Sequence, residues 1–218
     1  MYSIAKQYSK IYSTSQKSLD YFKLCNENSQ KNFIFASGVI NFLWQSWNRF
    51  WRNFWLAYLL GGEDLKKQQI ISVPSFSGKN EFEAIHYILY LIGKRKTPSG
   101  MISASYQEPT WGDVDCITKI STNLSEPGTD VDIIKIQVLN ALSVLGDTPR
   151  HLQIVRNTSI HLNWENITNL HNRVLPFYAI SNINYPTEIL YSKEIRTSKI
   201  AIQHWVDDLL AVVSLIYI

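Results

Sequence analysis

The sequence predicts an all-α helical bundle on three observations. Apolar side chains recur at intervals of three and four over long stretches, start and stop signals bracket those stretches, and strand signals are weak. With 218 residues, 45% hydrophobic and 18% charged, the chain is long enough for one ordinary core and too apolar for a disordered polymer. It reads as a single domain over 1–218, with a turn-rich insertion or connector over about 62–128.

The first helix is expected over residues 3 to 27, where Ile4, Tyr8, Ile11, Tyr12, Leu19 and Phe22 fall near one face. The second is stronger. Ile40, Leu43, Trp44, Trp47, Trp51, Phe54, Trp55 and Tyr58 repeat at three and four, with Asn41, Gln45, Asn48, Arg49, Arg52 and Asn53 on the other side, and Gly61-Gly62 stops the run. Four of the chain's seven Trp lie in these twelve residues, 44 to 55. Their spacing marks them as core and interface filling.

Residues 81 to 95 predict a third helix that ends in Lys94, Arg95 and Lys96 before Pro98-Ser99-Gly100. A short helix follows Thr110, with Asp113 at the capping-box position. Thr129 with Asp132 repeats that signal ahead of Ile133, Ile134, Ile136, Val138, Leu139, Leu142 and Leu145, a largely buried helix stopped by Gly146. Thr148 as N-cap and Pro149 in the first turn open the next, expected to run to about 171. After Pro176 and Pro186, a last helix fits residues 193 to 215, with Ile200, Trp205, Leu209 and Val212 buried.

A net charge of +3 is too small for a protein that grips long nucleic acid through many phosphates, and it leaves room for a local RNA site. Cys25 and Cys116 belong to no metal-binding or disulfide pattern and read as buried free thiols of a reducing cytoplasm. The first residues do not read as a signal peptide, and no apolar run reaches the roughly 18 residues of a membrane span. Neither a P-loop nor G-x-G-x-x-G, H-E-x-x-H or G-x-S-x-G occurs. The carboxylate pairs Asp113/Asp115, Asp130/Asp132 and Asp207/Asp208 fit helix starts or a solvated face better than a metal site, so no metal and no cofactor is expected.

One segment joins the residue types that phosphodiester chemistry needs: Arg156-Asn157-Thr158-Ser159-Ile160-His161. Histidine exchanges protons near neutral pH, and arginine is a fixed cation for a phosphate whose charge grows in the transition state. RNA carries its own nucleophile in the 2′-OH, so the two suffice for transesterification without a metal. On an ideal helix His161 lies about 140° from Arg156 but only about 40° from Asn157. The same residues also fit the plain outer side of a helix whose Leu152, Val155 and Ile160 face the core, although Ile160 and Trp164 make that side apolar, as at an interface.

Here the sequence resembles the HEPN superfamily, small α-helical domains whose active members are ribonucleases with an Arg-x(4–6)-His motif on a helix late in the bundle. Arg156, Asn157 and His161 match the motif. The order of a Trp-rich helix, a buried helix, the motif helix and a closing helix matches in outline. The resemblance implies a HEPN-like bundle with an irregular insertion, metal-independent cleavage of RNA by a hydrolase of toxin or defence type, and a homodimer in which two motifs share one cleft. It implies an antitoxin or defence partner and no membrane. Leu162 and Asn163 depart from the His-x-Tyr common in toxins paired with nucleotidyltransferases. Lys94, Arg95 and Lys96 are candidate RNA contacts, or the basic end of a helix. The other readings are a HEPN-like module for dimerisation or ligand sensing without catalysis, and a helical interaction protein.

Overall fold

The structure, a computed structural model, describes residues 2–25, 30–64, 66–70, 72–126 and 131–216, apart from the side chains of residues 30, 31 and 144. It is all-α, as the periodicities predict. The helices are α1 (Ile4–Lys23), α2 (Gln30–Leu60), α3 (Glu81–Leu91), α4 (Val114–Asn123), α5 (Val131–Val144), α6 (Thr148–Ile160), α7 (Trp164–Arg173) and α8 (Ala201–Leu215). Where the sequence suggests one domain, the contacts group into two compact units. The first comprises Met1–Lys10, Trp47–Val144 and Val212–Ile218, and the second Ile11–Ser46 and Leu145–Ala211.

The first unit is built on the C-terminal half of α2. Trp47, Trp51 and Trp55 are fully buried there with Phe50 and Phe54, because apolar positions at three and four stack on one face. Their rings meet edge to face, 5.4 Å between Trp47 and Trp51 and 5.1 Å between Phe54 and Trp55, the arrangement that ring quadrupoles favour. Trp47 Nε1 donates to the Gly112 carbonyl at 2.9 Å, and Asn48 Oδ1 accepts from the Gly112 N–H at 2.9 Å. A Cβ on Gly112 would lie 2.5 Å from the Trp47 ring, so this close approach requires glycine. A small sheet completes the unit: β1 (Tyr2–Ser3) runs parallel to β2 (Gly62–Glu63), which pairs antiparallel with β3 (Gln69–Ile70).

The segment 62–128 lies wholly in this unit and supplies core to it, including Ile85, Ile88, Trp111, Ile117 and Ile120. Asn80 opens α3 with a capping box, its side chain accepting from the Phe82 and Glu83 amides while Glu83 accepts from the Asn80 N–H. The helix stops at Leu91, short of the expected 95. Gly93 takes φ +80°, its N–H bonds Tyr90 O at 2.9 Å, and the Lys94 N–H bonds Leu89 O at 2.7 Å, the Schellman pattern that closes a helix. Asp113, rather than Thr110, caps α4 by accepting from the Cys116 N–H at 3.0 Å. Only one face of α5 is buried, through Val131, Val138 and Ala141, whereas Ile133 and Ile136 are exposed. The expected cap Thr129 and the paired Asp130 lie outside the described residues.

In the second unit α6 packs against α7. Asp147 is the N-cap of α6, one residue before the expected Thr148, whose hydroxyl instead donates to Asp208 at 2.6 Å. The closing helix begins at Ala201, not 193. Residues 193 to 200 form bridges, Tyr178 with Glu194 and Lys193 with Ile200, around the buried Glu194 carboxylate, which accepts from the Thr197 N–H at 2.6 Å and Arg196 Nε at 3.1 Å. Ile200 is exposed, while Trp205 and Leu209 are buried as expected. Cys25 and Cys116 are buried free thiols.

Candidate functional site

Helix α6 turns Leu152, Val155 and Thr158 into the core of the second unit. Arg156 follows at the core's edge, partly buried. Its Nε donates to Asn41 Oδ1 of α2 at 3.2 Å and its Nη1 to Asn157 Oδ1 at 3.0 Å. Burial lowers the guanidinium pKa from its ordinary value, although an arginine keeps its proton in proteins. Among the described residues no carboxylate pairs with Arg156. Two neutral amides therefore orient the cation without neutralising it, the arrangement that suits a ligand anion.

The helix does not continue to 171. It ends at Ile160, and His161 is its C-cap at φ −125° and ψ 84°. Asn163 starts α7, its Oδ1 accepting from the Asn166 N–H at 2.8 Å. The His161 carbonyl accepts from the Asn163 N–H at 2.9 Å and from Asn166 Nδ2 at 2.7 Å. The corner between the helices is thus tied by three hydrogen bonds. An ideal-helix angle between Arg156 and His161 does not apply, since His161 has left the helix. Its side chain is exposed, between Ile160 and Leu162, and Trp164 follows at the start of α7. The signal for this break was present in the sequence as Asn163 three residues before Asn166, a cap-forming residue type ahead of a new amphipathic run.

Lys94, Arg95 and Lys96 belong to the first unit, Arg156 and His161 to the second. Lys94 and Lys96 are exposed in the loop after α3, and Arg95 is half-buried with its Nε lacking a partner among the described residues. His86 of α3 anchors this loop, its Nε2 lying 3.2 Å from the Thr97 carbonyl. Lys94 also lines a cleft of about 230 Å³ with Thr110, Asp113, Asp115, Cys116 and Lys119. Burial pushes the Cys116 thiol up to about 12, so it is no nucleophile near neutral pH. Asp207 is engaged by Lys199 at 2.6 Å and Gln203 at 2.7 Å, and Asp208 by Thr148.

Two polar clusters escape reasoning from sequence. In the first unit Arg52 holds Glu108 through two hydrogen bonds, at 2.7 and 2.9 Å, and Glu81 at 2.5 Å; Tyr2 donates to Glu81 and Trp111 to Glu108. Each carboxylate meets donors from more than one element, so the cluster fastens the amino-terminal strand, α2, α3 and the loop at 108. In the second unit Trp205 Nε1 donates to the Tyr178 hydroxyl at 2.7 Å, which leaves the Tyr178 proton for His151 Nδ1 at 3.0 Å. His151 also bonds the Arg173 backbone, and burial lowers its pKa to about 4 despite the nearby Asp147. This imidazole is neutral and enclosed, a structural group. Comparison with protein-family models, with curated proteins and with solved structures gives no match.

Proposed function

We propose that this chain is a metal-independent endoribonuclease of HEPN type, acting in the cytoplasm as a toxin or defence effector. The single observation that carries the reading is Arg156: a partly buried cation held by Asn41 and Asn157, with no carboxylate partner among the described residues, on the helix that ends at the exposed His161. The substrate is RNA. His161 takes the proton of a 2′-OH, the 2′-oxygen attacks the adjacent phosphorus, and the bond to the 5′-oxygen breaks. Arg156 stabilises the non-bridging oxygens as their charge grows. A second copy's His161 protonates the leaving oxygen, giving a 2′,3′-cyclic phosphate and a 5′-OH, so the acting form is a homodimer. Asn157 holds Arg156 in place, and Lys94, Arg95 and Lys96 are accessory contacts to RNA. An antitoxin or defence partner restrains the activity.

Cleavage of total RNA in EDTA tests this. Arg156→Ala should lower the rate by roughly 10²–10³, and His161→Ala should abolish it, with both proteins folded by circular dichroism. Full cleavage by the His161 variant would reject the mechanism. Toxicity on expression, lost with the same substitutions, tests the biological role. A second reading, a non-catalytic HEPN-like module for dimerisation or ligand sensing, or a helical interaction protein, is favoured by Ile34, Phe35 and Phe42 exposed on α2. None of the described helices is long and apolar enough to cross a membrane. Liposome co-sedimentation separates binding at a membrane surface from a protein contact.

A further inference from the structure

Six of the seven tryptophans, Trp44, Trp47, Trp51, Trp55, Trp111 and Trp205, are no more than 4% exposed, whereas Trp164 is 82% exposed. A large aromatic side chain left in water forgoes the burial that stabilises the other six. Trp164 stands at the first position of α7, three residues after His161, so at most ~11 Å of chain separates the two. The corner between them is held by the Asn163 and Asn166 hydrogen bonds to the His161 carbonyl and by the Asn163 cap. The ring is therefore carried on an ordered turn.

We infer that Trp164 is a stacking platform for an unpaired base of a single-stranded RNA, next to the phosphate presented to His161. The inference rests on the ribonuclease reading and supplies its substrate class. Three features favour a base over a protein partner. A protein anchor of this size fills a pocket ringed by other contacts, whereas the exposed apolar side chains at this corner, Ile160, Leu162 and Trp164, alternate with polar ones over five residues. The side chains interleaved with them, His161 and Asn163, are polar and able to bond a base edge or sugar. On α6, within two turns of the corner, Arg156 offers a cation unpaired among the described residues for the backbone that follows the stacked base. Bases in a duplex are already stacked on each other, so the site selects single strands.

The test is fluorescence anisotropy of the full chain with a short mixed-sequence 2′-O-methyl oligoribonucleotide, which lacks the nucleophile and stays intact. Trp164→Ala should weaken binding roughly tenfold, Trp164→Tyr should restore most of it, and the same oligonucleotide annealed to its complement should bind weakly to all three proteins. Unchanged affinity in Trp164→Ala overturns the inference, as does failure of the wild-type protein to bind the single strand. Unchanged affinity with a loss of self-association would assign Trp164 to a protein contact and overturn it too. Trp164-dependent binding without any cleavage of ordinary RNA would keep the platform and reject the nuclease. Cleavage that needs His161 but is indifferent to Trp164 would do the reverse.

Discussion

His151 shows how a single side chain couples this fold to pH. Its proton affinity falls on folding, from 6.5 to about 4, so between those values the unfolded chain binds more protons than the folded one. Stability then rises with pH across that window: it is complete above 6.5 and is lost as pH falls toward 4. The gap corresponds to at most about 3 kcal/mol. The urea midpoint followed by circular dichroism should decline through this range, and His151→Gln should flatten the decline. Glu194 acts at lower pH. Burial opposes its ionisation, but the Thr197 N–H and Arg196 outweigh that and hold its pKa below the usual 4.5, so its contribution is present above that value and disappears further into acid. The sequence contains no sign of the His151 role, which arises from burial beside Tyr178, 27 positions along the chain, whereas Glu194 is held by its near neighbours Arg196 and Thr197. Arg156 and His161 stand out in the sequence as candidates by residue type and spacing alone, whereas Asn41, which orients Arg156, lies 115 positions away.

At the scale of elements, agreement with the sequence is closest where one face repeats over many turns. The Trp-bearing half of α2 is such a case, and its buried ring stack follows from spacing alone. Helix ends depend on a few local bonds, and there the structure departs from the periodicity. Lys94–Lys96 resembles a basic last turn, yet Gly93 had already closed α3 through its positive φ. Gly93→Ala should therefore destabilise by about 1 kcal/mol in chemical denaturation, since an alanine must adopt the left-handed conformation there. Tryptophans of equal burial on α2 differ in their polar ends. Trp47 Nε1 is bonded to Gly112, whereas Trp51 Nε1 is buried with no partner among the described residues. Trp47→Phe should cost about 1 kcal/mol more than Trp51→Phe, because the former strands a carbonyl and the latter removes an unsatisfied donor.

For the whole molecule, the helical class was legible and the division into units was not. Each unit is assembled from segments separated by many residues, and no Pro- or Gly-rich linker marks where one gives way to the other. A composition shift finds a boundary only when a domain is continuous in sequence. The segment 62–128 illustrates the limit: its many turn formers resemble a connector, yet Ile85, Ile88, Ile117 and Ile120 bring it into a core. The proposed homodimer makes a prediction at this scale as well. Cleavage per chain should fall on dilution, in step with the loss of dimer measured by sedimentation, and a rate that stays constant as the dimer dissociates would leave the single chain as the acting form.

The discontinuous first unit also has a consequence for synthesis on the ribosome. Its Trp-rich helix half and 62–128 emerge first, but Val212 and Val213, both buried, belong to the same unit and are made only after residues 145–211 of the second. The core of the first unit therefore stays incomplete in the nascent chain until these residues have been made, and termination ahead of them would release a product that lacks part of that core.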